Sequence, residues 1–318
     1  MAQPTNTFDT YDGVNSIRED FADVIYNISP TDTPFLSNAG QSTANATLHE
    51  WQTDSLETAT ANAQLEGDDY DGDARSATTR LTNYTQISAK AVTVSGTEQS
   101  VNQAGKGDEL AYQLAKIGKE LKRDIEFSMV GQEQAKTAGS ASVARASASV
   151  GTWYGATATG NYSVNGTPSA EPDGDGTQAI AGGTGRSFTE ALLKAGLLKS
   201  YELGGNPDVV LMSPANKQTA SGFSGVATQY KDSSDMTVIG AVDVYVSDFG
   251  EVTFVPDRFT ISSRIDILQM DMWDVAYLRP FQTTELSKTG DSEKRLLLAE
   301  WTLVAKSPNA NYGIFNIS

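Results

Sequence analysis

The sequence contains no cysteine and a single histidine in 318 residues. Without cysteine the chain can form no disulfide, no thiolate metal site and no thiol nucleophile. A catalytic triad with a histidine base could use only His49, and a metal site built from several histidines is excluded. Because His49 stands among alternating residues in TLHEW, we interpret it as a strand side chain and not as a catalytic base.

Basic residues and long apolar runs are also scarce. Forty acidic residues against 23 basic ones give a net charge of −17, which opposes non-specific binding to nucleic acid or anionic lipid. No run approaches the roughly 18 apolar residues of a membrane helix, and the first residues lack the features of a signal peptide. We therefore expect a soluble chain whose 39% hydrophobic content builds a substantial core.

Motifs for nucleotide binding and for serine nucleophiles are incomplete. The run Gly183-Thr184-Gly185 lacks a third glycine, a preceding strand and a P-loop lysine. The run Gly222-Phe223-Ser224-Gly225 lacks the glycine two residues after the serine that a nucleophile elbow requires. We therefore predict no catalytic residue and no cofactor site, and hence a protein that is not an enzyme.

Asp69, Asp71 and Asp73 alternate as acidic residues do in a calcium-binding loop. The glycine falls between the acids, however, and no glutamate closes the loop at the required position. This pattern favours a solvated loop tip, with a weak cation site as the alternative.

The N-terminal region predicts a short amphipathic helix followed by extended chain. Apolar residues recur at helical spacing over 14–28, and Ser16 with Glu19 has the form of a capping box. The helix should stop at Ser29-Pro30, and the proline at 34 predicts extended backbone over 33–36. Such an apolar terminal segment needs a surface to lie on.

Residues 43–100 alternate with a period of two on both sides of an acidic segment rich in turn formers. This pattern predicts a long two-stranded hairpin with an acidic tip. Its arms carry few large apolar residues, and an isolated hairpin is marginally stable in water. We therefore expect the hairpin to rest on another domain or another subunit.

The strongest helical pattern spans 108–134, where apolar residues step by three or four along one face after the start signal Gly107-Asp108. Its polar side carries basic and acidic residues: Lys116, Lys119, Lys122 and Arg123 with Glu120, Asp124 and Glu126. We interpret this side as solvated and internally paired, with a site for an acidic partner as the alternative.

The remaining chain divides at about residue 187. Residues 135–186 are dominated by small and polar residues and predict a linker or weakly packed insertion with irregular strands and little core. Ser187 with Glu190 forms a capping box before a predicted helix, the strand 208–212 follows, and Ser213-Pro214 opens a second helix. From 237 onward the pattern predicts strands, including a hairpin around Phe249-Gly250.

The order of these parts resembles the tailed-phage major capsid proteins of the Hong Kong 97 fold. More narrowly, the segments 27–36 (NISPTDTPFL), 293–295 (EKR) and 300–303 (EWTL) are similar to a podophage capsid family of that fold. The resemblance covers most of the chain and is weakest over 135–186.

The resemblance implies an α+β fold with four parts. These are an N-terminal arm at 1–42, an extended loop at 43–100, a peripheral domain at 101–186 with a spine helix at 108–134, and an axial domain at 187–318 whose last strands partly return to the peripheral domain. In the family the extended loop lies across a neighbouring subunit. Some members crosslink through a lysine in this loop, but Lys90, the only lysine within 43–100, lies away from the acidic tip, so we expect no crosslink.

The resemblance also implies a structural protein without catalytic centre, cofactor or metal. It would form hexamers and pentamers of an icosahedral shell that encloses double-stranded DNA without specific binding. The expected partners are copies of itself, a portal, and scaffolding or cement proteins. No contact with a membrane is expected. The expected location is the virion capsid after assembly in the host cytoplasm. Two alternatives stay open: a secreted acidic β-rich hydrolase acting on polysaccharide through two carboxylates, and another self-assembling protein such as a tail or surface-layer subunit.

Overall fold

A computed structural model describes residues 32–318 apart from 58, 68, 70–74, 102–106, 156–159 and 224–242. The helix predicted at 14–28 lies outside the described residues. The α-helices within the described ranges are α1 (Pro34–Asn38), α2 (Gly96–Ser100), α3 (Glu109–Val130), α4 (Glu190–Glu202) and α5 (Pro214–Ser221). The strands there are β1 (Gly40–Thr43), β2 (Leu48–Thr53), β3 (Thr79–Tyr84), β4 (Gln86–Ser95), β5 (Tyr162–Ser163), β6 (Pro168–Ala170), β7 (Ala181–Gly182), β8 (Val209–Met212), β9 (Val244–Ser247), β10 (Gly250–Pro256), β11 (Ile265–Leu268), β12 (Trp273–Glu285), β13 (Ser292–Ala305) and β14 (Tyr312–Ile314).

The long helix α3 confirms the strongest prediction from the sequence. The Asp108 side chain accepts hydrogen bonds from the backbone N–H groups of Leu110 and Ala111, which satisfies donors that a helix start leaves open. The apolar face buries Leu121, Ile125 and Met129 in the main hydrophobic core. The helix ends at Val130, four residues before the predicted end, with Gly131 as its C-cap.

Four strands from distant parts of the chain form the sheet that packs beside α3, in the order β1-β12-β13-β4. β12 and β13 are antiparallel, β1 runs parallel to β12, and β4 pairs antiparallel with β13 from Ser95 opposite Ser292 to Gln86 opposite Trp301. The C-terminal strands therefore share a sheet with residues from the first hundred. The division into an arm, loop, peripheral domain and axial domain stays a prediction.

The predicted hairpin of residues 43–100 exists, but it is shorter than expected. β2 and β3 pair antiparallel from Leu48 opposite Tyr84 to Thr53 opposite Thr79. β4 does not extend this hairpin, because the chain turns at buried Thr85, whose hydroxyl donates to the Glu300 carboxylate at 2.9 Å. The expectation that residues 86–95 continue the descending arm is therefore wrong, since β13 offers them a longer partner.

A six-stranded sheet in the order β5-β14-β11-β8-β10-β9 carries the C-terminal half. Its central strand β8 is buried, as predicted, and alternate side chains enter different cores: Leu211 joins the core beside α3, whereas Val210 and Met212 pack in the core with α4. Ser213 caps α5 with Pro214 at its first turn, and β9 pairs with β10 across the predicted hairpin. These local predictions are confirmed.

Two local predictions are wrong. Residues 34–38 are helical and not extended, because Pro34 occupies the first helical turn, where its fixed φ suits a helix. The cap of α4 is Thr189, whose side-chain oxygen accepts the backbone N–H of Leu192, and not Ser187.

The expectation of little core in 135–186 is also wrong. The short strands predicted there are present as β5, β6 and β7, yet Val150, Trp153 and Tyr154 are fully buried in the core beside α3. Small neighbours explain the packing, since a Cβ on Gly176 would lie 3.1 Å from the Trp153 ring. The segment is therefore a structural part of the core and not a linker.

Candidate assembly surfaces

The histidine lies where the sequence predicts it. His49 sits in β2 opposite Asn83, and its ring centroid is 5.9 Å from that of Trp51. Burial lowers the pKa of His49, which keeps the imidazole neutral at pH 7. These contacts fit a strand side chain that packs beside a tryptophan.

The other candidate motifs are placed only in part. Asp69 is exposed, whereas Asp71 and Asp73 lie outside the described residues, so the three are not seen together. Within the residues that the structure describes, no group of three or more His, Cys, Asp or Glu side chains could hold a metal ion. None of the helices in the described ranges combines the length and apolar content that a membrane span needs.

The two glycine motifs take part in chain packing. A Cβ on Gly183 would approach the Asn316 side chain, and one on Gly185 would lie 2.9 Å from the Cβ of Ser318, so the run packs against the C-terminal residues. Gly222 caps α5 and Phe223 is buried against Phe188, while Ser224 and Gly225 lie outside the described residues. The described residues of both motifs therefore have packing contacts within the chain.

The loop between β2 and β3, residues 54–78, is the most exposed part of the described chain. Each of its described residues is exposed, and the Leu56 and Leu65 side chains keep 99% and 75% of their surface in solvent. The base of the hairpin is held by Trp51, whose indole N–H donates to the Ala305 carbonyl at 2.8 Å and whose ring lies 5.4 Å from that of Trp153. A fixed base therefore carries a loop with uncovered leucines.

A buried carboxylate joins the segment before β1 to the long helix. Glu126 is fully buried and accepts the backbone N–H groups of Phe35 at 2.7 Å and Leu36 at 2.8 Å. Burial raises the pKa of Glu126 to about 8, the two backbone donors oppose this rise, and the nearby Asp257 adds to it. Since the Phe35 ring also packs edge-on against Trp273 at 5.9 Å, this segment is anchored to the core.

A second buried carboxylate fixes the turn between β3 and β4. Glu300 receives Arg145 at 2.6 Å, Arg279 at 2.8 Å and the Thr85 hydroxyl at 2.9 Å. Two cations and one hydroxyl donate to this carboxylate, and such pairing compensates the cost of burying its charge. The orientation of the hairpin relative to the four-stranded sheet therefore depends on this cluster.

A third buried cluster joins the end of α3 to the six-stranded sheet. The Arg264 guanidinium, fully buried, contacts Glu133 and lies 2.8 Å from Asp266, which also accepts the Tyr154 hydroxyl at 2.8 Å. Burial lowers the pKa of Arg264, but Asp266 and Glu133 outweigh it and raise this pKa, so the guanidinium stays charged. We interpret the cluster as a structural junction between the two cores.

The predicted pairing of acidic and basic residues within the polar side of α3 is wrong. Glu120 and Asp124 receive Lys90 of β4 at 3.3 and 2.9 Å, and Glu126 turns inward. We call Lys116, Lys119 and Lys122 the lysine face; all three are exposed, and none forms an ion pair with another described residue. The acids that the sequence offers as their partners are used elsewhere.

An apolar edge lies at the far side of the six-stranded sheet. Among the described strands β9 is the last of this sheet, and Val244 and Val246 on it are exposed. Leu198 and Tyr201 of α4 are also exposed nearby, where the Tyr201 ring stacks on Phe249 at 4.9 Å. Exposed sheet edges with apolar side chains are sites where protein chains associate.

The three buried acidic and basic clusters were not predicted from the sequence. One signal pointed to Glu126, because apolar Met129 and Val130 follow it by three and four residues, which indicates that this side of the helix turns inward. Arg145 lies 155 residues from Glu300, and Glu133 lies 131 residues from Arg264, so no local pattern predicts these two pairings.

Comparison with known sequences places almost the whole chain in one family. The profile of the family described as SU10 major capsid protein matches residues 3–318. A similar curated protein is the major capsid protein of Escherichia phage Phieco32, which is 29% identical over 350 residues and aligns with 99% of this chain and 98% of its own length.

Solved structures show the same architecture. A chain of the capsid asymmetric unit of Cyanophage A-1(L) superposes with a TM-score of 0.65 at 14% identity, over 98% of this chain and 99% of its own. A chain from the capsid of a native GTA particle, computed with C5 symmetry, superposes with a TM-score of 0.64 at 11% identity, over 99% of this chain and 100% of its own. At these identities the likeness shows the fold, which is the α+β Hong Kong 97-type fold that the sequence predicts.

Proposed function

The chain belongs to the SU10 major capsid protein family, and we propose that it forms the hexamers and pentamers of an icosahedral shell around double-stranded DNA. Membership makes it a structural phage head protein and not an enzyme, as predicted. The hydrolase and the tail or surface-layer alternatives are therefore wrong. The location in the phage capsid follows from the family as well.

The observation that carries the proposal is the exposed β2–β3 loop on its fixed base. Leu56 and Leu65 contribute large apolar surfaces that the described part of their own chain leaves in solvent. Burial of a leucine side chain contributes about 1.5–3 kcal/mol. A contact in which a neighbouring subunit covers the loop would therefore be stabilised. We propose that the loop lies across an adjacent subunit.

The buried clusters give this loop a defined direction. Trp51 ties β2 to the Ala305 carbonyl, and Glu300 holds the turn that follows β3. These contacts fix the position and direction from which the loop leaves the subunit, which reduces the conformational entropy lost on association. In this proposal residues 1–42 act as an arm, and of the loop predicted at 43–100 the β2–β3 hairpin, residues 48–84, acts as the extended loop, since β4 belongs to the four-stranded sheet.

The remaining parts of the proposal concern partners and place. A closed shell needs an entry for DNA and a means of setting its size, which supports a portal and scaffolding or cement proteins as partners. The net charge of −17 supports enclosure of DNA without tight binding to it. We place assembly in the host cytoplasm and assign no cation to the loop of Asp69.

The experiment is to replace residues 54–78 by a two-residue Asn-Gly turn, which joins the paired strand ends Thr53 and Thr79 directly. The proposal expects a folded subunit with unchanged circular dichroism that no longer forms capsomers or shells. A matched control replaces the exposed residues 140–143, which form a different loop, by an equally short turn and should assemble. Assembly of the loop-deleted protein at the wild-type level would contradict the proposal.

A further inference from the structure

Glu126 is buried on a side of α3 that carries exposed lysines. Lys119 and Lys122 of the lysine face precede it by seven and four residues, so the three side chains lie on the same side of the helix. Both lysines are exposed, whereas Glu126 is fully buried. At Glu126 this side is covered by α1, which directs the backbone N–H groups of Phe35 and Leu36 at the carboxylate. α1 therefore covers a carboxyl group that would otherwise meet water.

The attachment of α1 depends on Glu126 in turn. α1 has five residues, which is too short for a helix that is stable by itself in water. Its N-cap residue Thr33 contributes no side-chain cap, and the backbone donors of Phe35 and Leu36 both end on Glu126. The Phe35 ring adds an apolar contact with Trp273. Docking of α1 and burial of Glu126 are therefore one step, and separation of α1 from α3 returns the carboxyl group to water.

The surroundings of Glu126 offer no cation to compensate a buried negative charge. Within the described residues no lysine or arginine forms an ion pair with it, and the charge that acts on it is that of the buried Asp257. Burial raises the pKa of Asp257 as well. α1 carries no titratable side chain, and the Arg123 guanidinium lies over the Phe259 ring at 5.4 Å. The other charged residues on the neighbouring segments are exposed: Asp32, Lys122 and Arg258. An ionised Glu126 is therefore costly as long as α1 stays docked.

We propose that α1 is a pH-dependent clasp, which stays closed on α3 while Glu126 holds its proton and opens more often as the pH rises. Loss of the proton to solvent favours the open state, because the carboxylate is then hydrated instead of buried beside a second acid. Opening frees the chain that precedes α1 from its fixed point on α3. The clasp belongs to the single subunit and does not depend on the proposed shell function.

The direction and range of the response follow from the pKa of Glu126, which is about 8 in the closed state against a reference value of 4.5. In the open state the carboxyl group is in water, where the reference value applies. Below the lower value both states hold the proton, and above the higher value both have lost it. Between the two values only the closed state holds the proton, so each pH unit raises the ratio of open to closed molecules about tenfold.

Hydrogen exchange of the full-length protein measures this opening. The reporters are the backbone amides of α1 and its C-cap, which are hydrogen-bonded in the closed state: Phe35, Leu36, Ser37 and Ala39. After correction for the chemical exchange rate at each pH, we expect their protection factor to fall about tenfold per unit from pH 5 to pH 8 and to level off above. Amides of Leu121 and Ile125 in the buried face of α3 should stay more protected throughout, because only α1 opens.

Two variants assign the effect to Glu126. Glu126→Gln has no proton to lose, so the protection factor of α1 should stay within about twofold from pH 5 to pH 8. Asp108→Asn is the matched control, because Asp108 also accepts two backbone N–H groups at a helix start but is exposed. This control should keep the wild-type slope.

Three results would overturn the proposal. The first is a constant protection factor of α1 in the wild-type protein between pH 5 and pH 8, which decides the question even if α1 does not close in Glu126→Gln. The second is a wild-type slope in Glu126→Gln. The third is equal exchange of the α1 and α3 amides at every pH, since α1 would then open only with the whole fold.

Discussion

The Glu126 carboxylate accepts the backbone N–H of Phe35 at 2.7 Å, although the two residues are 91 positions apart in the chain. The contact caps the first turn of α1 from outside its own segment, where Thr33 contributes no side-chain cap. The segment that precedes β1 is thereby held against the spine helix. What precedes α1 in the chain therefore starts from a fixed point on the subunit.

Replacing Glu126 by glutamine should change how stability depends on pH. The pKa of Glu126 is about 8 in the folded protein against 4.5 as its reference value. Between these values the folded chain holds a proton that the unfolded chain has lost, so the free energy of unfolding falls as the pH rises from about 4.5 to 8. Urea unfolding of wild type and Glu126→Gln at pH 5 and pH 9 should show their stability difference shift by about 3–5 kcal/mol in favour of the variant. Titrating groups that do not interact with Glu126 contribute equally to both proteins, so parallel curves would contradict the account.

Removal of the Glu300 carboxylate should destabilise the subunit strongly. Glu300→Ala removes a buried carboxylate that accepts from Thr85, Arg145 and Arg279, and the loss of a hydrogen bond to a charged group costs about 1.5–3 kcal/mol. Glu293→Ala on the same strand is the matched control, because its pair with Lys288 is exposed and contributes about 1 kcal/mol or less. Chemical denaturation of both variants measures the difference, and equal midpoints would be the contrary result.

Trp153→Ala tests whether residues 135–186 belong to the core. The indole is fully buried beside Trp51, and truncation of a buried tryptophan costs about 3–5 kcal/mol. Val143→Ala in the same segment is exposed and should stay within about 0.5 kcal/mol of wild type. A linker that packs weakly would give similar thermal midpoints for the two variants.

Polar replacement of the loop leucines should separate folding from assembly. Leu56→Ser with Leu65→Ser removes apolar surface that is exposed in the subunit, so the free energy of unfolding should stay within about 0.5 kcal/mol. Light scattering should show the loss of capsomers and shells, because the neighbour no longer gains buried apolar area. Val143→Ser is the control for an exposed apolar side chain in another loop; assembly equal to that of the control would argue against the loop's role.

Local elements of the fold could be predicted from the sequence because their signals lie within a few residues. The cap Asp108 with the apolar face of α3, the Ser213-Pro214 start of α5 and the hairpin at Phe249-Gly250 are such cases. The resemblance to capsid proteins added the order of the parts and hence the family.

Pairing over long distances could not be predicted. Alternation in 86–95 indicates a strand but does not say whether β3 or β13 is its partner, and Thr85 turns the chain through a contact with Glu300. Composition misled for Trp153, since small residues can indicate a linker or the room around a buried indole. The partners of Glu120 and Asp124 on α3 were also predicted wrongly. Their partner Lys90 lies on β4, and the sequence does not show that this strand packs beside the helix.

Electron microscopy of the expressed full-length protein tests the central claim most directly. The account predicts closed particles with icosahedral symmetry, or hexamers and pentamers that close into such particles. A protein that stays monomeric by light scattering across concentration and salt, with no shells on the grid, would contradict it.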